Sequence, residues 1–170
     1  MQQNTAFWVG LLAFSFLVMT GTPSGVQATV NNPAPEFTLV SRSGKKVSLK
    51  DYRGRVVLID VWATWCGPCR RTMPEIQKWH DRYHKRGLAV LGVNIEGRLP
   101  QVFQYIDQNR YTFPVLFDEG NWQSQITKLY GVKGIPRSFL IDRQGMLVWA
   151  GHPMELSETF LNKLLSATGK

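Results

Sequence analysis

"VVLIDVWATWCGPCRRTMPEI", residues 56–76, is the stretch on which the fold turns. Its first seven residues are an almost continuous apolar run rich in β-branched side chains, the pattern of a strand covered on both faces and therefore central in a sheet. Asp60 interrupts that run. The stretch then delivers Cys66-Gly67-Pro68-Cys69, which holds the only 2 cysteines of a 170-residue chain. A helix is predicted from about Pro68 to Lys85, because Cys69, Met73, Ile76, His80 and Tyr83 recur on one side and Gly87 stands just past its end. "LAVLGVNI", residues 88–95, reads as a second buried strand. Strand, helix and strand in that order make a βαβ unit with parallel strands.

Working outward, "EFTLV" and "KKVSL" on either side of "SRSG" predict a hairpin ahead of the central strand. Downstream, Pro100 to Asn109 predicts a short helix burying Val102, Phe103 and Ile106, and "FPVLF" another strand. Trp122, Ile126, Leu129 and Tyr130 fall at i, i+4, i+7 and i+8 ahead of Gly131, which predicts an amphipathic helix with its stop. "SFLID" and "MLVWA" joined by "RQG" predict an antiparallel hairpin, and Leu156, Phe160, Leu161, Leu164 and Leu165 a last helix. The expected architecture is one α/β domain over residues 36–170, a mixed central sheet flanked by helices with an N-terminal β-hairpin extension.

Ahead of it, residues 1–28 contain no charged side chain, and "AFWVGLLAFSFLVM", residues 6–19, is apolar throughout. A run of this size suits the apolar region of a signal peptide and falls short of the roughly 20 residues that span a bilayer comfortably. Val26-Gln27-Ala28 offers a cleavage site. "MQQNT" supplies only the α-amino group for positive charge, so an uncleaved membrane anchor is the alternative, and either reading exports the domain. Residues 29–35, "TVNNPAP", carry two prolines and turn-formers and read as a short tether. The formal charge of +8 belongs to the exported part. Its basic residues are spread along the chain without a zinc-knuckle, helix-turn-helix or aromatic-stacking signature, which argues against a nucleic-acid partner; the excess biases encounters toward acidic ones.

Export decides what a cysteine pair can mean, because disulfides persist outside the cytosol. A bridge across two residues closes too small a loop to restrain the unfolded chain much, so a purely structural staple is a poor reading. A C-x-x-C beside a βαβ pattern is the sign of a redox centre. With Cys66 at the cap of a helix and Cys69 in its first turn, unpaired backbone N–H groups and the helix dipole favour a thiolate on Cys66. Such placements pull a cysteine from about 8.5 to roughly 3.5–7.5. Cys69, on the buried side, needs a base. Asp60 is the candidate, since burial in the strand would raise its pKa; a strand-end residue facing solvent is the plainer alternative.

Two competitors fail on spacing. Cys66-x2-Cys69-x10-His80-x3-His84 superficially matches a zinc finger, yet the intervening segment is predicted as one helix. At 1.5 Å per residue His80 would lie about 16 Å beyond Cys69. No metal is expected, no cofactor either, and His80, His84 and His152 receive no chemistry. Peroxidase chemistry of the peroxiredoxin sort needs a Pro-x-x-x-Thr-x-x-Cys run, but Ile59 and Ala63 stand where Pro and Thr would precede Cys66.

"VWATWCGPC" followed about seventy residues later by "GIPRSFLID" resembles the thioredoxin superfamily. The lead-in "APEFTLVSRSGKKVSLKDYRGRVVLIDVWATWCGPCRRTMP" is similar to exported, often membrane-tethered reductases of the TlpA/ResA/CcmG type. The resemblance covers about residues 33–165 and implies a thioredoxin fold. It implies further that Ile135-Pro136 is a cis peptide lying against the cysteines, with the backbone around Ile135 free to pair with an extended substrate segment. Trp65 matches the family tryptophan over the active site, and Gly67-Pro68 suggests a reducing member, so Trp65, Gly67, Pro68, Ile135 and Pro136 form the expected substrate surface. Trp62 matches a strand aromatic that core packing alone explains. Many relatives carry Glu where this chain has Thr72. The implied function is a thiol-disulfide oxidoreductase outside the cytoplasm, periplasmic and soluble after cleavage or tethered to the inner membrane. It would reduce oxidised client proteins and be recharged by a membrane thiol-disulfide transporter, with cytochrome c maturation as one pathway. A disulfide oxidant or isomerase, and a redox-inert binding or assembly module, are the alternatives.

Overall fold

The computed structural model describes residues 27–167. The expected signal peptide or anchor, residues 1–28, lies outside them except for Gln27 and Ala28. In chain order the elements are β1 (Asn32–Pro33), β2 (Thr38–Ser41), β3 (Lys46–Ser48), β4 (Val56–Trp62), α1 (Gly67–Tyr83), β5 (Leu88–Asn94), α2 (Pro100–Gln108), β6 (Val115–Phe117), α3 (Gln125–Leu129), β7 (Arg137–Ile141), β8 (Met146–Gly151) and α4 (Glu158–Ser166). The strands form one sheet in the order β1-β8-β7-β4-β5-β6-β2-β3.

The two long apolar runs occupy its centre, and every residue of β4 and β5 is buried. They pair in parallel from Val56–Leu88 to Trp62–Asn94, with α1 as the crossover between them. β6 extends the parallel part, whereas β7 runs antiparallel to β4 and pairs with β8. The sheet is therefore mixed. The N-terminal hairpin β2–β3 attaches antiparallel to β6, so residues 38–48 extend the sheet at one end.

Helix α1 begins where Cys66 adopts extended backbone (φ −81°, ψ 100°) with Pro68 in the first turn. Proline fits there because its missing N–H is one the helix would leave unpaired. Cys69, Thr72, Met73, Ile76, Trp79 and Tyr83 are its buried face. Trp79 joins that face ahead of the partly buried His80. The chain leaves the helix through a 3-10 turn, His84–Arg86, and Gly87 at φ 98°, a left-handed conformation that favours glycine.

Three expectations need correction. The amphipathic helix over 122–130 is broken. Asn121–Gln123 form a 3-10 turn, and α3 restarts with Ser124 as its cap, the hydroxyl accepting from Thr127 N–H at 3.4 Å. The Asp118 carboxylate also accepts from the N–H groups of Gln125 (3.2 Å) and Ile126 (2.6 Å). Local polar capping thus overrides the apolar spacing and leaves Trp122 outside the helix, 45 % exposed. Residues 29–35, read as a tether, lie against the domain instead. Asn31 N–H donates to the Leu147 carbonyl (2.7 Å) and Ala34 N–H to that of Gly145 (2.9 Å), while Asn32 and Pro33 pair with β8. The outer edge of β8 otherwise offers unpaired backbone groups, and an edge is where a strand proline is tolerated. Ala34 is buried there. Leu156 also precedes its expected helix, buried just before the Ser157 cap of α4.

Candidate active site

β4 and β5 both end beside α1's N-terminus, and β7 begins there: Val61 of β4 pairs with Arg137, the residue after Pro136. The carboxyl ends of parallel strands are where open α/β sheets hold their chemistry, since strands stop and loops with free backbone groups begin. At this rim Cys66 is the cap of α1 and Cys69 stands in its first turn, joined by a disulfide with an S–S distance of 2.09 Å. Cys69 N–H donates to Cys66 Sγ (3.1 Å). Once the bond opens, the same N–H and the positive end of a seventeen-residue helix face a Cys66 thiolate. Thr72, where many relatives have an acid, is buried and donates its hydroxyl to the Cys69 carbonyl (3.0 Å).

In the disulfide the cap position does not expose the Cys66 sulfur. Cys66 is only 4 % exposed and Cys69 fully buried. The bond to Cys69 holds Cys66 Sγ over the first turn and 3.6 Å from the Ile135 carbonyl oxygen. The Ile135-Pro136 peptide bond is cis. Pro136 is buried, Ile135 half-buried, and Gly67 and Pro68 are exposed. Trp65 is 55 % exposed, its ring 6.2 Å from that of Trp122, so two tryptophans meet on the surface beside the cysteines. Trp62, fully buried, packs against Tyr105 at 5.7 Å. Of the residues singled out in the sequence, Trp65 to Cys69, Ile135 and Pro136 come together at one rim.

Asp60 sits further back in β4, with 1 % of its surface exposed, and among the described residues it bonds directly to neither cysteine. Its partner is Ser138, directly across in β7, whose hydroxyl donates to Asp60 Oδ1 at 2.6 Å. Burial penalises the charged carboxylate and pushes its pKa up to about 7; the Ser138 hydrogen bond pulls the other way. The solvent-facing alternative does not apply. The arrangement can therefore hold and release one proton near neutrality inside the sheet.

Sequence reasoning missed three contributors. Ser138 is legible only through the antiparallel register of β7 on β4, although a polar residue opening an apolar strand two places after Pro136 is a signal. Glu96, two residues past β5, fastens the loop that carries the cysteines. Its carboxylate accepts from Thr64 N–H, from the Thr64 hydroxyl (2.8 Å) and from Asn94 Nδ2 (3.0 Å). The run Asn-Ile-Glu-Gly at the end of a buried strand was the available cue. Trp122 was hidden by the helix expectation. His80, near the end of α1, and His84, in the turn that follows it, stack on each other at 5.2 Å, and burial lowers the pKa of His80.

Residues 30–150 match the model of the AhpC/TSA family. The chain is similar to thiol-disulfide oxidoreductase ResA of Bacillus thuringiensis subsp. konkukian (strain 97-27), 34% identical over 119 residues that make up 70% of this chain and 67% of the relative. It is also similar to thioredoxin-like protein YneN of Bacillus subtilis (strain 168), 38% identical over 117 residues, 67% of this chain and 66% of the relative. Among solved structures, a protein of Chlorobium tepidum described as thiol:disulfide interchange protein DsbE superposes with a TM-score of 0.71 at 35% identity, covering 84% of this chain and 100% of that one.

Proposed function

The chain belongs to the AhpC/TSA family and is a thiol-disulfide oxidoreductase of the ResA and DsbE type; from that premise we propose that it works outside the cytoplasm as a reductase of client disulfides. The observation that carries the mechanism is the cap geometry, Cys66 Sγ receiving Cys69 N–H at the start of α1. A Cys66 thiolate attacks one sulfur of the client disulfide, the client S–S bond breaks, and one client thiolate leaves. Cys69 then gives its proton to the Asp60 carboxylate through a water and attacks Cys66 Sγ. The mixed disulfide breaks, and the second client thiolate leaves. Two electrons pass to the client, and the Cys66–Cys69 disulfide remains. Trp65, Gly67, Pro68, Ile135 and Pro136 form the surface on which the extended client segment lies.

The N-terminal segment, as signal peptide or anchor, takes the domain across the membrane, where a membrane thiol-disulfide transporter restores the dithiol. Cytochrome c maturation is one pathway that the resemblance to the TlpA/ResA/CcmG type implies, with an apocytochrome or its haem-handling machinery as client. Residues 1–28 and 36–170 are accordingly export segment and catalytic domain. The fold's N-terminal boundary includes residues 31–34, which pair along β8.

The test is covalent trapping. Cys69→Ser allows attack and blocks resolution, so client proteins accumulate as mixed disulfides that dithiothreitol releases, whereas Cys66→Ser captures none. Capture by neither variant, with insulin disulfides left intact by the reduced wild-type chain, would overturn the reading. Equilibration with glutathione buffers fixes the direction: a Cys66–Cys69 bond reduced as easily as glutathione disulfide would make the protein an oxidant.

A further inference from the structure

Two hollows adjoin the disulfide, and both are lined by cations without carboxylate partners. The first, about 590 Å³, is lined by Gly67 of the cysteine motif, Arg70 and Arg71 of α1, and Tyr105 of α2. The second, about 460 Å³, is lined by Pro136 together with Lys133, Arg137 and His152. Gly67 of the first hollow follows Cys66 and Pro136 of the second follows Ile135, whose carbonyl oxygen lies 3.6 Å from Cys66 Sγ. Aromatic faces hold two of these guanidinium groups without neutralising them: Arg70 lies 5.7 Å from the Tyr105 ring centre and Arg137 5.8 Å from that of Phe139.

The ion pairs among the described residues all lie elsewhere, at Arg42–Asp107, Arg53–Glu36, Lys78–Glu75 and Arg82–Glu158. Three carboxylates around the rim are committed, while Glu119, exposed beside Gly97, lines neither hollow. Glu96 is held by Thr64 and Asn94, and Asp60 is buried against Ser138. Glu155 caps the turn beside His152 by accepting from its N–H (3.2 Å). Unpaired cations occur elsewhere on this basic chain, but four of them clustered around one reactive bond make a positive local field that favours an anionic partner. Resting on the reductase reading, we propose that the two hollows form a cationic docking surface selecting client segments that carry acidic residues on both sides of the disulfide to be reduced.

An extended segment advances about 3.3 Å per residue. Carboxylates two to four places from the client cysteine would stand about 7–13 Å from it, and the proposal sets them against Arg70 and Arg71 on one side and Lys133 and Arg137 on the other while the cysteine meets Cys66. The tryptophan pair Trp65–Trp122 supplies an uncharged contact beside the reacting sulfur. Charge of this kind raises the rate of productive encounter more than the lifetime of the complex.

The experiment compares two disulfide-bonded peptides, identical except for Asp or Lys at the positions flanking the cysteines, in single-turnover reduction by the reduced full chain. The Asp peptide is expected to react on the order of ten times faster at about 10 mM salt, the ratio shrinking to within about twofold at about 0.5 M. Replacing Arg70, Arg71, Lys133 and Arg137 together by Gln should bring the low-salt ratio close to one. Neutralising Lys45, Lys46, Lys50 and Lys85, which removes the same charge elsewhere, should leave the ratio as it was. Should the quadruple variant not fold, the Arg70→Gln/Arg71→Gln and Lys133→Gln/Arg137→Gln pairs each lower the ratio partway.

Equal rates for the two peptides, or an equal fall in both variant sets, would overturn the docking surface and leave the reductase standing. Reduction of neither peptide would remove the reductase itself. A missing peptide preference together with binding to phosphatidylglycerol vesicles, lost in the quadruple variant, would overturn the client assignment in favour of an anionic membrane surface.

Discussion

Asp60→Asn separates a proton-handling carboxyl from a merely buried polar group. An aspartate in the unfolded chain titrates near 3.8, whereas in the folded protein burial holds Asp60 at about 7. Below pH 3.8 both states carry the proton and the residue costs nothing. As pH rises through the window, the unfolded chain releases its proton and the folded one keeps it. Stability present at low pH is thus lost, fully so once pH exceeds about 7. At 1.36 kcal/mol per tenfold, the span from 3.8 to about 7 corresponds to about 4 kcal/mol.

Asparagine never ionises and can still accept from Ser138 through its carbonyl oxygen. The stability of Asp60→Asn relative to wild type should therefore rise by up to about 4 kcal/mol between pH 4 and pH 8, whatever constant offset the amide introduces. With urea unfolding of the oxidised proteins and a slope of about 2 kcal/mol/M, the midpoint difference grows by about 2 M over that range. His80 titrates in both proteins and cancels in the comparison. The same substitution should remove a limb near pH 7 from the rate at which Cys69 resolves a trapped mixed disulfide. Ser138→Ala, which deletes the hydrogen bond that holds Asp60 down, should move that limb to higher pH. A stability difference that does not vary with pH would refute the buried-acid argument. An unchanged pH–rate profile would remove Asp60 from the mechanism.

The remaining predictions concern how the rim is held. Glu96→Gln replaces one acceptor oxygen by an amide donor facing the donors of Thr64 and Asn94, and should cost about 1–3 kcal/mol in urea unfolding. It should also slow alkylation of reduced Cys66, since the loop before it loses its anchor; unchanged stability would show that Glu96 holds nothing. Gly92→Ala would put a Cβ 2.6 Å from Phe113 Cε2 and 3.3 Å from Trp62 Nε1. A loss of about 1–3 kcal/mol is expected, with partial recovery when Phe113 is shortened to Leu; a neutral outcome would mean the β5 interior is looser than its burial implies.

What could be read from the chain depended on how local the cause was. β4, α1 and β5 announce themselves because a strand buried on both faces must be apolar throughout, and because Gly87 supplies the left-handed exit that α1 needs. β1 could not be read: its two residues pair with β8 more than a hundred positions later, and two residues carry no period. The break before α3 was visible in principle, since Ser124 and Thr127 have capping spacing, but the apolar repeat through Trp122 spoke louder. At the site, the cysteine motif is contiguous and legible. The Asp60–Ser138 and Glu96–Thr64 contacts join residues far apart in sequence and needed the sheet register.

The sheet ends in a two-residue strand bearing Pro33 on one side and a three-residue strand containing Lys46 on the other. A catalyst acting on disulfides of other proteins risks being drawn into aggregates through any long bare margin of its own sheet. These short margins, one unable to donate at its proline and the other carrying positive charge, give a stray chain little to template on.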